Sequence, residues 1–156
     1  MPGARRILPG SLRVGSQPRI RLGLEAALVE RYLGIEQIRY GDRLPAAITI
    51  APEAEDVLVP PLLLQPLAEN AVRHGVATLL EGGEITIAVA RRGEYVDVRV
   101  ENPYDATDAR PGAGVGLTNV RARLDATYGG RAHFRVAADG PRFTATLSLP
   151  VEGEAA

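Results

Sequence analysis

One stretch, from Val59 to Gly75 (VPPLLLQPLAENAVRHG), limits more than any other what this 156-residue chain can fold into. Its apolar residues recur at three- and four-residue steps, the spacing of a buried helix face; they are Leu64, Leu67, Ala68, Ala71 and Val72. Pro60 and Pro61 fall where a first turn tolerates proline, because those positions lack intrahelical N–H partners anyway. Gly75 supplies the expected stop. The stretch therefore predicts an amphipathic helix that ends at Gly75.

A polar edge runs beside this apolar stripe. Asn70, Arg73 and His74 are three and four residues apart, so that they share one side of the helix. Glu69 lies about 100° round from Asn70. An amide, a guanidinium, an imidazole and an acid could together hold a metal–phosphate group. For this helix alone, a solvated polar face is the simpler interpretation.

Composition excludes several classes of function. A formal net charge of -1 gives no reason to expect electrostatic capture of nucleic acid or of an anionic membrane. The absence of cysteine excludes disulfides and thiolate metal sites, and two histidines cannot build a histidine-rich one. No apolar run approaches the roughly 20 residues of a membrane span. We therefore expect a soluble, cytoplasmic chain that contacts neither nucleic acid nor membrane.

The rest of the chain predicts an α/β sandwich, with one helical layer over a mixed sheet. Residues 1–21 lack periodicity and are expected to be a tether or the remnant of an upstream helix. A helix is expected over residues 22–40, with four apolar residues on one side: Leu24, Leu28, Tyr32 and Ile35. Strands are expected at 46–51, 57–59, 85–89, 96–100, 133–136 and 143–149. A further helix, marked by Leu117, Val120 and Leu124, precedes the last two strands.

Three glycines, Gly112, Gly114 and Gly116, precede that last helix. A helix N-terminus favours an anion, and glycine lets the backbone approach a phosphate. A dinucleotide-binding loop would need an apolar strand directly before the glycines, and a Walker-type loop would need a lysine after them. Neither is present, because the polar segment 102–111 precedes the glycines and no lysine follows. The pattern therefore indicates a flexible lid that hinges on glycines, since polar loops of this length are usually functional or mobile.

Two stretches together resemble the ATP-binding catalytic domain, the HATPase or GHKL domain, of LytS/YehU-type sensor histidine kinases. They are residues 63–75 (LLQPLAENAVRHG) and residues 112–124 (GAGVGLTNVRARL), and residues 28–44 (LVERYLGIEQIRYGDRL) match the same branch. The resemblance covers residues 22–150 and leaves 151–156 as a tail. It implies a Bergerat-type two-layer α/β sandwich, in which helices cover one face of a mixed sheet.

The resemblance also implies a set of site residues. Asn70 would bind a Mg²⁺ ion that bridges the ATP phosphates, since an amide oxygen suits a hard cation that takes few protein ligands. Arg73 and His74 would face the phosphates, and Glu69 would be the catalytic candidate that polarises the attacking nucleophile. The other residues implied in nucleotide binding are Asn102, Gly112, Gly114, Val115, Gly116, Leu117 and Asn119.

The sequence departs from the family pattern at three places. The phosphoacceptor box, a histidine beside Asn-Pro or Phe-Leu-Phe-Asn, is absent, and a Gly-Thr common in the penultimate turn is replaced by Arg142-Phe143. The Asp-Asn-Gly that recognises adenine appears as Asn102-Pro-Tyr. Because alternate strand residues share a face, Asn102 continues the apolar face of the strand and Glu101 falls on the other. We therefore expect Asn102 to recognise adenine.

The function that the resemblance implies is phosphoryl transfer from ATP, with Mg²⁺ as cofactor, to a histidine outside this chain. The implied partners are the dimerisation and phosphoacceptor domain of the full-length kinase, whether or not that kinase is membrane-anchored, and a response regulator of the LytTR type. Two alternatives stay open. One is a degenerate nucleotide-binding regulatory module without turnover, and the other is an anti-sigma-type serine kinase, against which the match at residues 32–43 argues.

Overall fold

The computed structural model describes residues 18–75, 80–104 and 114–154. Its helices and strands are β1 (Ile20–Arg21), α1 (Leu22–Tyr40), β2 (Ala46–Ile50), β3 (Leu58–Val59), α2 (Leu64–His74), β4 (Ile85–Arg92), β5 (Tyr95–Pro103), α3 (Gly114–Tyr128), β6 (His133–Asp139) and β7 (Arg142–Pro150). Most of the expected tether and most of the expected lid, including Gly112, lie outside the described residues. None of the described helices is long and apolar enough to cross a membrane.

Five strands form a mixed sheet in the order β2-β4-β5-β7-β6. β2 runs parallel to β4, and the other neighbours are antiparallel. One face of the sheet packs against the helices and carries the apolar core, to which the strands contribute Ile85, Ile87, Val89, Val96, Val98, Val100, Phe134, Ala145, Leu147 and Leu149. The predicted two-layer α/β sandwich is confirmed.

Of the four apolar residues of α1 that the sequence analysis singled out, only Tyr32 packs against the core, and it is partly buried. Leu24, Leu28 and Ile35 are 47%, 42% and 64% exposed. The buried residues of α1 form a different stripe: Leu22, Glu25, Ala26, Val29 and Leu33. That stripe also has helical spacing, but it includes an acid, Glu25, which the sequence analysis did not place in the core. The expectation was wrong because the burial of Glu25 depends on partners far away in the sequence.

Two helix starts also differ from the sequence analysis. α2 begins at Leu64, so that Pro60 and Pro61 lie ahead of the helix rather than in its first turn. The reason is Leu62, whose φ of 64° is incompatible with a right-handed helix. Conversely, α3 begins at Gly114, so that the second and third glycines of the cluster lie in its first turn rather than before it. The end of α2 at Gly75 is confirmed.

Residues on both sides of the 22–150 range contact the sheet and helices. β1 pairs with β3, and the Leu58 N–H group donates to the Gly153 carbonyl oxygen at 2.9 Å. The Glu152 carboxylate pairs with Arg19 at 3.1 Å and also with Arg131. The division of the chain at residues 22 and 150 stays a prediction.

Candidate functional site

The helix α2 is the centre of the candidate site, because it packs against α1, α3 and β5. Its predicted apolar residues are buried, and so is Asn70, which is only 7% exposed. A buried amide on a core-facing helix needs partners for its oxygen and nitrogen. Among the described residues, the Asn70 amide is not one of the buried side-chain groups that lack a hydrogen-bond partner. Asn70 is the one polar residue among the buried residues of α2.

The strand β5 ends beside the C-terminal end of α2 and carries the second buried amide. Asn102 is 2% exposed and continues the buried face that Val98 and Val100 occupy. Glu101 lies on the opposite face, where Arg99 donates to its Oε2 at 2.9 Å and 2.6 Å. The hydrogen bonds from Arg99 are the main cause that lowers the pKa of Glu101. The predicted strand parity is confirmed, whereas adenine recognition by Asn102 stays a prediction.

Two glycines, Gly75 and Gly83, frame this strand end, and the sequence analysis treated Gly75 only as the stop of a helix. A Cβ on Gly75 would lie 2.5 Å from Asn102 Nδ2 and 2.7 Å from the Pro103 carbonyl oxygen. A Cβ on Gly83 would lie 2.4 Å from Pro103 Cγ. The Asn102 Nδ2 group itself donates to the Pro103 carbonyl oxygen at 2.7 Å, which orients the amide. Sequence reasoning missed this packing role, because spacing alone does not show which segments approach a glycine.

The start of α3 provides the third part of the site. The backbone of Gly114, Val115 and Gly116 forms its first turn. Leu117 is buried in the core, whereas Asn119 is exposed. A cavity of about 570 Å³ separates Asn119 from the proline segment ahead of α2, and its lining comprises Pro18, Pro60, Pro61, Asn119, Ala122, Arg123, Ala126 and Thr127.

The polar edge predicted on α2 is divided between two sides of that helix. Glu69 and Arg73 line a cavity of about 290 Å³ against α1, together with Tyr32, Glu36, Arg39, Tyr40 and Val72. Gln65 Nε2 donates to Glu69 Oε2 at 3.3 Å. Burial, followed by the nearby carboxylates of Glu36 and Glu69, raises the pKa of Tyr32 to about 12. Glu69 and Arg73 thus lie beside α1, whereas Asn70 is buried and His74 is half-buried at the end of α2.

Comparison with curated proteins identifies the relatives of the chain, although no protein-family model matches it. Sensor histidine kinase YpdA of Escherichia coli strain K12 is 32% identical over 140 residues, which cover 83% of this chain and 25% of YpdA. Sensor histidine kinase BtsS of the same strain is 33% identical over 138 residues, which cover 87% of this chain and 25% of BtsS. The chain is similar to one segment of these sensor histidine kinases. It spans about a quarter of the length of these relatives.

The branch and the fold agree with this family. Sensor histidine kinase/phosphatase LytS of Staphylococcus aureus strain Mu50 is 28% identical over 156 residues, covering 91% of this chain and 27% of LytS. The solved catalytic domain of histidine kinase ThkA superposes with a TM-score of 0.65 at 16% identity, covering 86% of this chain and 95% of that one. Acinetobacter baumannii histidine kinase AdeS superposes with a TM-score of 0.66 at 16% identity, covering 91% of this chain and 70% of that one. The fold of the chain is that of a histidine kinase catalytic domain.

Proposed function

We propose that this chain is the Mg-ATP-binding catalytic domain of its kinase and transfers the γ-phosphoryl group of ATP to a histidine outside this chain. One observation carries the proposal: two buried amides, Asn70 on α2 and Asn102 at the end of β5, lie on elements that pack together, and α2 also packs against the glycine-led helix α3. Phosphoryl transfer needs mainly positioning and charge neutralisation, and this arrangement supplies groups for both.

The donor chemistry of the site suits Mg²⁺ held jointly by protein and phosphates. Among the described residues, no group of three or more His, Cys, Asp or Glu side chains is placed to hold a metal ion. Mg²⁺ usually keeps several waters and takes one or two protein oxygens together with substrate phosphates. A single amide oxygen from Asn70 fits that requirement, and we assign it as the metal ligand.

The adenine end of the nucleotide is assigned to Asn102. Its Nδ2 group already donates to the Pro103 carbonyl oxygen, which turns Oδ1 into the end of the amide available as an acceptor. The exocyclic amine of adenine is a matching donor. A neutral acceptor gives a weaker bond than the carboxylate of the usual family pattern, so that we expect modest affinity.

The phosphate end is assigned to the first turn of α3 and to the end of α2. Backbone N–H groups and the helix dipole favour an anion at the α3 N-terminus. The proposed phosphate contacts are Gly112, Gly114, Val115, Gly116, Leu117, Asn119 and His74. Arg73 is also proposed as a phosphate contact, and it would have to reach the phosphates from the cavity beside α1. Glu69 stays the candidate that polarises the nucleophile. Glu69→Gln would then lower the rate of phosphoryl transfer without changing nucleotide affinity.

The wider setting follows from the relatives, of which this chain matches about a quarter. We propose that the full-length protein supplies a dimerisation and phosphoacceptor domain, and that a response regulator of the LytTR type receives the phosphoryl group. Because ATP is the donor, we place the domain in the cytoplasm, also where the full-length kinase is anchored in a membrane.

Thermal unfolding with Mg²⁺ and a non-hydrolysable ATP analogue tests the proposal. A ligand at about 100 times its dissociation constant adds about 2.7 kcal/mol to the free energy of unfolding. For a chain of this size that corresponds to a rise in Tm of roughly 5–10 °C. Asn70→Ala should remove the Mg²⁺-dependent part of the shift, whereas Thr86→Ala, on the open sheet face, should keep it. An unchanged Tm of the wild-type chain at millimolar analogue would contradict the proposal and favour a regulatory module.

A further inference from the structure

The first turn of α2 is capped by a side chain from a different helix. Glu25 of α1 is 2% exposed, and its Oε1 accepts from the N–H groups of Leu63 and Leu64 at 2.7 Å and 2.8 Å. Its Oε2 accepts from the N–H group of Leu62 at 3.0 Å. α2 has no side-chain cap of its own, because the residue at its N-cap is a leucine. A carboxylate 37 to 39 residues away therefore does what a local Ser, Thr or Asp usually does.

The chain before α2 has few other means of holding this turn. Pro60 and Pro61 carry no N–H group to bond, and Leu62 adopts a φ of 64°, a left-handed conformation that is unfavourable for leucine. The stabilisation is mutual, because a buried carboxylate also needs hydrogen-bond donors. Three backbone N–H groups at a helix N-terminus, whose dipole favours a negative charge, satisfy Glu25.

We propose that Glu25 is a positioning residue of the nucleotide site, acting through α2 on Asn70. This inference rests on the proposed function. α2 has 11 residues, and Asn70 lies six residues beyond Leu64, about 9 Å along the helix axis. A helix this short moves as one rod, so that the bonds to Glu25 at its first turn determine the rotation and axial position of Asn70.

The same three hydrogen bonds also hold in place the segment ahead of α2. They hold the segment in which Pro60 and Pro61 face Asn119 of α3 across the cavity of about 570 Å³. The far end of α2 is held independently, where Gly75 meets Asn102. Loss of the Glu25 contacts should therefore tilt α2 about its C-terminal end and displace Asn70 rather than Asn102. Because small displacements of positioning groups have large effects, metal-dependent binding should suffer most.

Two conservative variants of the whole chain separate positioning from simple stabilisation. Glu25→Gln keeps the length but presents an N–H donor to one of the backbone donors, and Glu25→Asp keeps the charge but is one methylene shorter. Glu30→Gln, an exposed acid on the same helix, is the control. Affinity for AMPPNP is measured by calorimetry with and without Mg²⁺, at a temperature where circular dichroism shows each variant fully folded. Hydrogen exchange of the Leu62–Leu64 amides reports directly on the cap.

We expect both Glu25 variants to exchange these amides faster and to bind Mg·AMPPNP about tenfold more weakly. The affinity without Mg²⁺ should change less, so that Mg²⁺ increases the affinity for AMPPNP by a smaller factor than in the wild type. Glu30→Gln should behave as the wild type. A folded Glu25 variant with wild-type affinity and a wild-type gain from Mg²⁺ would overturn the inference, whatever its Tm. If the wild-type chain binds no AMPPNP, the proposed function fails and this inference fails with it. Wild-type binding with unaffected variants overturns the inference alone.

Discussion

Gly75 and Asn102 meet so closely that a Cβ on Gly75 would lie 2.5 Å from Asn102 Nδ2. The same Cβ would also lie 2.5 Å from the Ala71 carbonyl oxygen and 2.7 Å from that of Pro103. Two of these three neighbours are backbone atoms, which cannot swing aside as a flexible side chain would. The junction between the end of α2 and the end of β5 thus depends on the missing side chain at residue 75.

Gly75→Ala should therefore destabilise the protein. Overpacking a tight site typically costs about 1–3 kcal/mol, and urea unfolding should show a fall of that size in the free energy of unfolding. Gly34→Ala is the matched control, because no atom lies within 4 Å of its Cβ position. Alanine has the higher helix propensity, so that this control should gain up to about 1 kcal/mol. Equal stability of Gly75→Ala and wild type would contradict the close approach.

The two residues at the end of β5 should contribute unequally to nucleotide affinity. Asn102→Ala leaves the adenine amine without its acceptor and should cost about 1–3 kcal/mol of binding free energy. Glu101→Ala should cost much less, because Glu101 lies on the opposite sheet face and pairs with Arg99. Calorimetric titration of ATP into both variants tests this difference. Lost binding in Glu101→Ala with binding retained in Asn102→Ala would reject the assignment of Asn102.

Tyr128→Phe should stabilise the protein. Tyr128 is 2% exposed, and its hydroxyl group finds no hydrogen-bond partner among the described residues. An unsatisfied buried hydroxyl costs about 1–3 kcal/mol, so that its removal should raise the free energy of unfolding by about 1 kcal/mol. Phenylalanine keeps the ring face on which the Arg19 guanidinium lies, 5.5 Å from the ring centroid. A destabilised variant in urea unfolding at pH 7 would contradict this expectation.

The same variant should change the alkaline limb of stability. Burial raises the pKa of Tyr128 to about 12, above the ordinary value of 10.0. Because the folded state holds this proton more tightly than the unfolded state, the stabilisation is complete below pH 10 and is lost as the pH rises towards 12. Between pH 9 and 11, the Tm of thermal unfolding should therefore fall less steeply for Tyr128→Phe than for the wild type. Parallel curves would show that Tyr128 does not titrate as expected.

Glu152 should make stability fall with decreasing pH, the opposite direction to the effect of Tyr128. Burial raises its pKa, but hydrogen bonds from Arg131 and Arg19 outweigh burial and hold the pKa below its ordinary value of 4.5. A lowered folded pKa gives a stabilisation that is present above pH 4.5 and is lost as the pH falls through the folded value. Glu152→Gln should thus be less stable than wild type at pH 7 and lose stability less steeply below pH 4.5. Glu30→Gln, with an exposed residue, should leave the acid limb unchanged.

Much of the fold could be predicted from local pattern alone. The period-two alternation of Val96, Val98 and Val100 predicted β5 and also the inward face of Asn102, because one residue of slip would invert every side chain. The helical spacing of apolar residues within the stretch from Val59 to Gly75 predicted the buried face of α2 and its end at Gly75. These features were accessible because each depends on the order of neighbouring residues.

Other features were decided only when distant segments came together. The sequence analysis chose one stripe on α1, whereas the stripe with Glu25 is the one that is buried, and three N–H groups before and in α2 satisfy its charge. Periodicity also did not show the left-handed Leu62 ahead of α2. Nor did it show that Glu69 lies in the cavity beside α1. The sequence by itself determined the order of the elements and the inward faces of α2 and β5. The tertiary structure decided which charge is buried and where each helix begins, because the cost of burying a polar group depends on partners that periodicity does not reveal.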